Sequence, residues 1–163
     1  MSERAVIHST FVIERTYSAA PDRVFAAFAD PAKKRRWFIE TGGHKVEHHE
    51  MDFRPGGREQ ARFIFKEGTP VAGMSCTNDT AYQVIVQGSL IVFASTMTLG
   101  ENCISSALVT VEIQPAGSGT ELILTHQGAF FQGSDTPEMR QAGWEILMDR
   151  LGTELAADND EEA

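Results

Sequence analysis

The sequence predicts an α+β domain: a curved antiparallel sheet closed by one long C-terminal helix. Three observations lead there. Residues 136–157 carry Trp144, Leu147, Met148, Leu151 and Leu155 at helical spacing, so one face of a long helix is apolar. Most of the preceding chain reads as alternating strands divided by Gly-containing turns. Two helix-start signals, Ala20-Pro21-Asp22 and Asp30-Pro31, follow the first strand closely. A helix this apolar must lie against the sheet, and a curved sheet leaves a cavity beneath it.

Each element follows in order. From His8 to Tyr17, Phe11, Ile13, Arg15 and Tyr17 share one face while Thr10, Val12, Glu14 and Thr16 share the other. The first short helix begins at Pro21 and buries Val24, Phe25 and Phe28; Asp22 suits the positive end of its dipole. The second begins at Pro31 and carries Lys33 to Arg36 as its solvated face before Trp37 and Phe38. His44 to Phe53 reads as a strand with no clean apolar face, and Pro55-Gly56-Gly57 turns it into a second, Arg58 to Phe65. Lys66 to Asp79 reads as a loop. Strands follow at Thr80–Val86, Ser89–Leu99, Ser105–Gln114 and Thr120–Gln127, and Gly128 to Ser134 leads into the last helix. Pro137 suits that helix's first position, with Thr136 or Asp135 supplying the capping oxygen.

Composition removes several functions. The chain has 163 residues, enough for one domain with a real core. A net charge of -9 argues against nucleic acid, whose binders need a basic stripe to neutralise phosphates. No stretch approaches the roughly 20 apolar residues of a membrane span, so no membrane partner is expected. The first ten residues lack the apolar centre of a secretion signal. Cys76 and Cys103 have no metal-ligand spacing and read as reduced thiols, which predicts a cytoplasmic location. His44, His48, His49 and Glu50 invite a metal reading. On an extended strand His44, His48 and Glu50 share a face and His49 points away, but alternate residues sit about 6.6 Å apart, too far to converge. A solvated polar strand is the reading adopted, with no metal and no cofactor.

Several short strings, in order, resemble a known family. Glu14-Arg15 with Ala19, Pro21, Val24 and Phe25, then Asp30-Pro31 through Trp37, resemble its opening strand and paired helices. Asp52-Phe53-Arg54-Pro55-Gly56-Gly57-Arg58 resembles its hairpin turn. Gly119-Thr120, Leu122, Leu124, Thr125 and His126 resemble its last strand, and Gly143-Trp144 with Asp149-Arg150-Leu151 its closing helix. The chain is thereby similar to the START-like, or SRPBCC, superfamily. Within it the resemblance is to the branch containing the C-terminal domain of the Aha-type activator of the heat-shock-ninety chaperone ATPase. The resemblance implies a helix-grip fold of six or seven strands around the long helix. Residues 1–157 are expected to form this one domain, and the composition of residues 158–163 reads as an acidic, disordered tail. The resemblance also implies small apolar ligands held between sheet and helix, and is compatible with a homodimer, although no exposed stripe specifies an interface. The separate N-terminal domain of the full co-chaperone has no counterpart here, which removes most of the reason to expect direct ATPase activation.

Side-chain direction then nominates the ligand-binding residues: Phe25, Phe28, Trp37, Phe38, Trp144 and Met148 from the helices, and Tyr82, Phe93, Val109, Val111, Leu122 and Leu124 from the strands. Each competes with plain core packing. His126 continues the face of Leu122 and Leu124; an inward imidazole orients a ligand carbonyl or acts as a base, against the simpler role of a core-edge residue bonded to backbone. Arg15 either holds a ligand carboxylate or pairs at the rim. No GxSxG, HExxH or Cys–His motif marks a catalytic centre. Three readings stand: a module binding a small apolar ligand, which is preferred; an aromatase/cyclase-like enzyme using His126, Tyr82 or Arg15; and a stress-related, chaperone-associated interaction domain using Lys33 to Arg36.

Overall fold

The computed structural model describes residues 6–131 and 135–162. Strand β1 (Val6–Tyr17) is followed by helices α1 (Pro21–Ala29) and α2 (Pro31–Phe38) and a 3-10 turn at Glu40–Gly42. Six strands then run in succession: β2 (Lys45–Met51), β3 (Arg58–Ile64), β4 (Ser75–Val86), β5 (Leu90–Leu99), β6 (Asn102–Ala116) and β7 (Gly119–Phe131). Helix α3 (Pro137–Glu162) closes the chain. The seven strands form one sheet in the order β1-β7-β6-β5-β4-β3-β2. All neighbouring pairs are antiparallel. Since β1 and β2 occupy opposite edges, α1 and α2 carry the chain from one side of the sheet to the other.

Irregularities in the ladders mark where strands bend. Register shifts fall between Val46 and His48, between Tyr82 and Val84, and between Met97 and Thr98. Such bulges kink and twist the strand that carries them. The Pro55-Gly56-Gly57 turn docks onto the second: the Gly56 amide donates to the Tyr82 carbonyl at 2.9 Å, and the Tyr82 amide to the Gly57 carbonyl at 3.0 Å. A Cβ at Gly57 would lie 2.1 Å from the Asp52 carbonyl oxygen, so only glycine permits this turn.

The predicted elements need four corrections. β4 starts at Ser75 rather than Thr80, because Ser75–Asp79 pairs with β3 on one side and β5 on the other from Cys76 onward. The polar run Thr77-Asn78-Asp79 had no alternation to reveal this. β7 continues through Gly128 to Phe131, held between β1 and β6. His44 precedes β2 instead of opening it, and α3 runs past Ala157 to Glu162, into the stretch read as a tail.

The main core gathers the inward faces of β1, β4, β5, β6 and β7 against all three helices. Tyr17, Trp144, Met148, Leu151 and Leu155 belong to it, which seats α3 on the sheet as its spacing predicts. The Tyr17 hydroxyl donates to the Met148 carbonyl at 2.8 Å in the middle of α3. Trp37 Nε1 donates to the Ala27 carbonyl at 2.9 Å and ties α2 to α1. A smaller cluster of Cys76, Leu99 and Ile104, with Phe63, Phe65, Val71 and Met97 packed against it, sits at the far end of the sheet.

Candidate functional site

Between the first turns of α3 and the middle of the sheet lies a cavity of about 160 Å³. That is close to the roughly 150 Å³ of an apolar cavity able to hold benzene. Its apolar walls come from Phe38 of α2, Met97 of β5, Ala107 and Val109 of β6, and Trp144 of α3. Asn78, Ser95, His126 and Arg140 add polar groups. Beside it runs an apolar groove of about 410 Å³ lined by Phe63, Phe65, Val71, Leu99 and Ile104. Met97, Met139, Arg140 and Gly143 line both spaces, so cavity and groove adjoin under the start of α3. Methionine is well suited to such a boundary because its unbranched thioether adapts to different fillings.

Local sequence builds this roof. Thr136 Oγ1 accepts from the Met139 amide at 3.1 Å and caps α3, as its position predicts. Arg140 follows at the next turn and Trp144 one turn later on the same stripe. The Arg140 guanidinium pairs with Asp135, donates to Ser105 Oγ at 2.8 Å, and lies 5.4 Å from the Phe130 ring centre. At Gly143 an added Cβ would meet nothing within 4 Å, so the absence of a side chain leaves the wall open there.

His126 is the buried polar group of the cavity. It is 1% exposed and stacks on Phe11 at 4.6 Å with the planes 8° apart. The Phe130 ring centre lies 6.0 Å away. Gly128 makes this possible: a Cβ there would lie 2.8 Å from both rings. His126 Nδ1 is buried with no hydrogen-bond partner among the described residues. Burial, with the nearby Arg140 charge second, pulls the imidazole pKa down to about 4, so the ring is neutral at neutral pH.

A second buried polar cluster surrounds Glu59. Lys34 Nζ donates to Glu59 Oε1 at 2.8 Å, His49 Nε2 bonds Glu59 Oε2 at 2.8 Å, and the Tyr82 hydroxyl donates to Oε1 at 2.5 Å. Burial alone would raise the Glu59 pKa; the Lys34 charge and the bonds from His49, Lys34 and Tyr82 override it and hold the carboxyl down at about 2. This corrects two expectations. Lys34 is not on a wet helix face but 4% exposed, with its ammonium 4.5 Å from the Phe38 ring centre. His49 is not on a solvated strand, since its side chain is 3% exposed. His49 lies opposite the buried Ala61, on the face away from the more exposed His48 and Glu50. Among the described residues, no three His, Cys, Asp or Glu side chains converge as metal ligands.

Of the residues nominated from the sequence, Phe38, Val109, His126 and Trp144 line the cavity. Phe25, Phe28, Trp37, Tyr82, Phe93, Val111, Leu122, Leu124 and Met148 lie in the packed core around it. Arg15 sits at the rim, its guanidinium 3.6 Å from the Asp149 carboxylate. Ser95 and Met97 lie on the face of Phe93–Met97 that strand alternation offers to the pocket, whereas Asn78, Ala107, Arg140 and Gly143 escaped the sequence reading. Arg140 alone had a signal, one helical turn before Trp144 on the apolar stripe.

A seven-stranded antiparallel sheet gripping a long C-terminal helix, with two short helices at one end, is an α+β helix-grip fold of the START-like class. The family described as activator of Hsp90 ATPase homolog 1-like protein matches residues 18–156, and the chain belongs to it. A protein from Rhizobium leguminosarum is 35% identical, superposes with a TM-score of 0.88, and is matched over 96% of this chain and 99% of its own. One from Rhizobium loti is 44% identical with a TM-score of 0.82, over 93% and 99% of the two chains. An AHSA1-like protein from Aeromonas hydrophila, 19% identical over 93% and 94% of the chains with a TM-score of 0.68, shares the fold. No curated protein matches the chain. No helix among the described residues is long and apolar enough to cross a membrane.

Proposed function

We propose that this protein binds a small, largely apolar molecule in the cavity beneath α3, with access along the groove beside it. The observation that carries this reading is an apolar cavity adjoining an apolar groove, with a buried and unpartnered imidazole on its wall. A buried polar atom left unpaired costs stability, and a bound partner removes that cost. The size of the groove falls within the range of about 300–1,000 Å³ common to ligand sites.

Binding is favoured over catalysis by the same imidazole. An efficient general base has a pKa near the working pH, whereas that of His126 is lowered to about 4. Tyr82 and Arg15, the other candidates for chemistry, are engaged by Glu59 and by Asp149. The chaperone-docking reading loses support because Lys34 is interior and Arg35 and Arg36 pair with Glu40 and Glu154. Native mass spectrometry of gently purified protein, with extraction of any bound molecule, tests the proposal directly. A neutral apolar dye such as Nile red supplies the second arm. Wild type binds it, and Gly143→Phe, which fills the open wall, weakens binding at least tenfold. Equal binding by the two proteins would remove this cavity as the site.

A further inference from the structure

The wall chemistry narrows the class of ligand, on the premise that the cavity is a binding site. The charged side chains lining cavity and groove are Arg140 and Asp135, and they pair with each other at 12% and 13% side-chain exposure. The Arg140 Nη2 is further occupied by Ser105. The remaining polar wall groups are the Asn78 amide, the Ser95 hydroxyl and the neutral His126 ring in the cavity, and in the groove the Thr69 hydroxyl, the Cys76 thiol and the His44 ring, whose pKa burial lowers. The three groove groups have partners: Thr69 donates to the Lys66 carbonyl, Cys76 to the Met97 sulfur, and His44 Nδ1 accepts from the Lys66 amide. The Asn78 side-chain oxygen and the Ser95 hydroxyl are engaged, since the Ser95 hydroxyl donates to that oxygen at 3.3 Å and the Thr80 hydroxyl donates to it at 3.0 Å. His126 Nδ1 has no partner.

We infer that the ligand is an uncharged apolar molecule bearing one hydroxyl or carbonyl oxygen that pairs with His126. A carboxylate would bring a second negative charge into an enclosure whose one guanidinium is already matched by Asp135, and a buried charge without its own counter-charge is strongly disfavoured. A pure hydrocarbon would leave the imidazole nitrogen as unsatisfied as it is in the empty cavity. A single neutral oxygen resolves both problems. A neutral imidazole has one N–H donor and one acceptor, so a hydroxyl suits either tautomer and a carbonyl suits the one protonated at Nδ1. The apolar remainder of the molecule lies against Met97, Val109 and Trp144 and extends toward Phe63 and Phe65 in the groove.

A chain-matched series tests the inference: 1-nonanol, 2-nonanone, nonanoate and 1-nonene, each competing with Nile red at pH 7.5. The better of the alcohol and the ketone should bind at least tenfold tighter than nonanoate and about fivefold or more tighter than the alkene. His126→Phe, which keeps a ring against Phe11, should erase the advantage over the alkene. Wild-type protein with ¹⁵N-labelled histidine gives a reading independent of any variant, because the favoured probe should displace the His126 Nδ1 resonance. Nonanoate binding as tightly as the neutral probes would overturn the inference, as would an unmoved Nδ1 resonance on saturation. If all four probes bind alike, the inference fails and the cavity reading stands; if none competes, both fail.

Discussion

At the scale of single residues, the Glu59 cluster and His126 embody two ways of burying a polar group. Glu59 is surrounded by Lys34, His49 and Tyr82, each from a different element. Lys34→Met strands the carboxylate and should cost about 3–5 kcal/mol in urea unfolding, while Lys34→Met with Glu59→Gln should recover part of it. Both groups also give acid dependence. The Glu59 pKa is lower in the folded chain than its ordinary value of 4.5, so its stabilisation is complete above pH 4.5 and lost as pH falls toward 2. The His126 pKa is lowered from 6.5 to about 4, so the folded state loses stability as pH falls through that interval, where the unfolded chain binds the extra proton. His126→Phe should therefore flatten the upper part of the acid-denaturation curve between pH 6.5 and 4, an effect of up to about 3 kcal/mol. An unchanged curve would mean that the ring titrates normally. The polarity of these residues was legible in the sequence, but their burial was not. Alternation sets His49 on the face opposite His48 and Glu50, as found, but cannot tell which face of so polar a strand is inward, and the partners of Glu59 lie 25, 10 and 23 positions away along the chain.

At the scale of elements, α3 is held at its start and along its length. Thr136→Ala removes the cap and should cost about 1 kcal/mol, with faster amide exchange confined to the first turn. Trp144 is 8% exposed against Phe38 and Phe93, and Trp144→Ala should cost on the order of 3–5 kcal/mol. A near-neutral result in thermal or urea unfolding would mean that the indole is not seated on the sheet. The helix was readable from sequence because its stripe repeats over several turns and its cap and Pro137 agree with it. The first strand was equally readable from Phe11, Ile13 and Tyr17, all buried as the alternation requires. The start of β4 was not, because Thr77-Asn78-Asp79 is recruited by strands on both sides rather than by an apolar pattern of its own. Gly128 misled for a different reason. It looked like a strand end, yet it serves as the gap that two neighbouring rings need.

At the scale of the whole molecule, cavity and stability are linked. A guest that binds only the folded chain adds about 2.7 kcal/mol at one hundred times its Kd. The melting temperature should therefore rise with added 1-nonanol or 2-nonanone in wild type and stay level in Gly143→Phe. The general architecture was legible because strands, turns and the closing helix each leave a local pattern. The cavity was legible only as a space, since its walls come from six elements and much of the nominated set is close-packed core. The strand order carries one more consequence, for the time course of folding. The first strand finds its partner only in β7, with Val6 opposite Phe131 and Tyr17 opposite Thr120. On the ribosome, β1 must wait for more than a hundred residues of later chain before its edge can pair, while β2 to β6 each pair with the next strand along the chain, across connections of ten residues or fewer. Such distant pairing slows folding. The last strand to be synthesised is thus the one that completes the sheet on both its sides, and a chain halted before it would expose β6 as an open edge ready to associate with a neighbour.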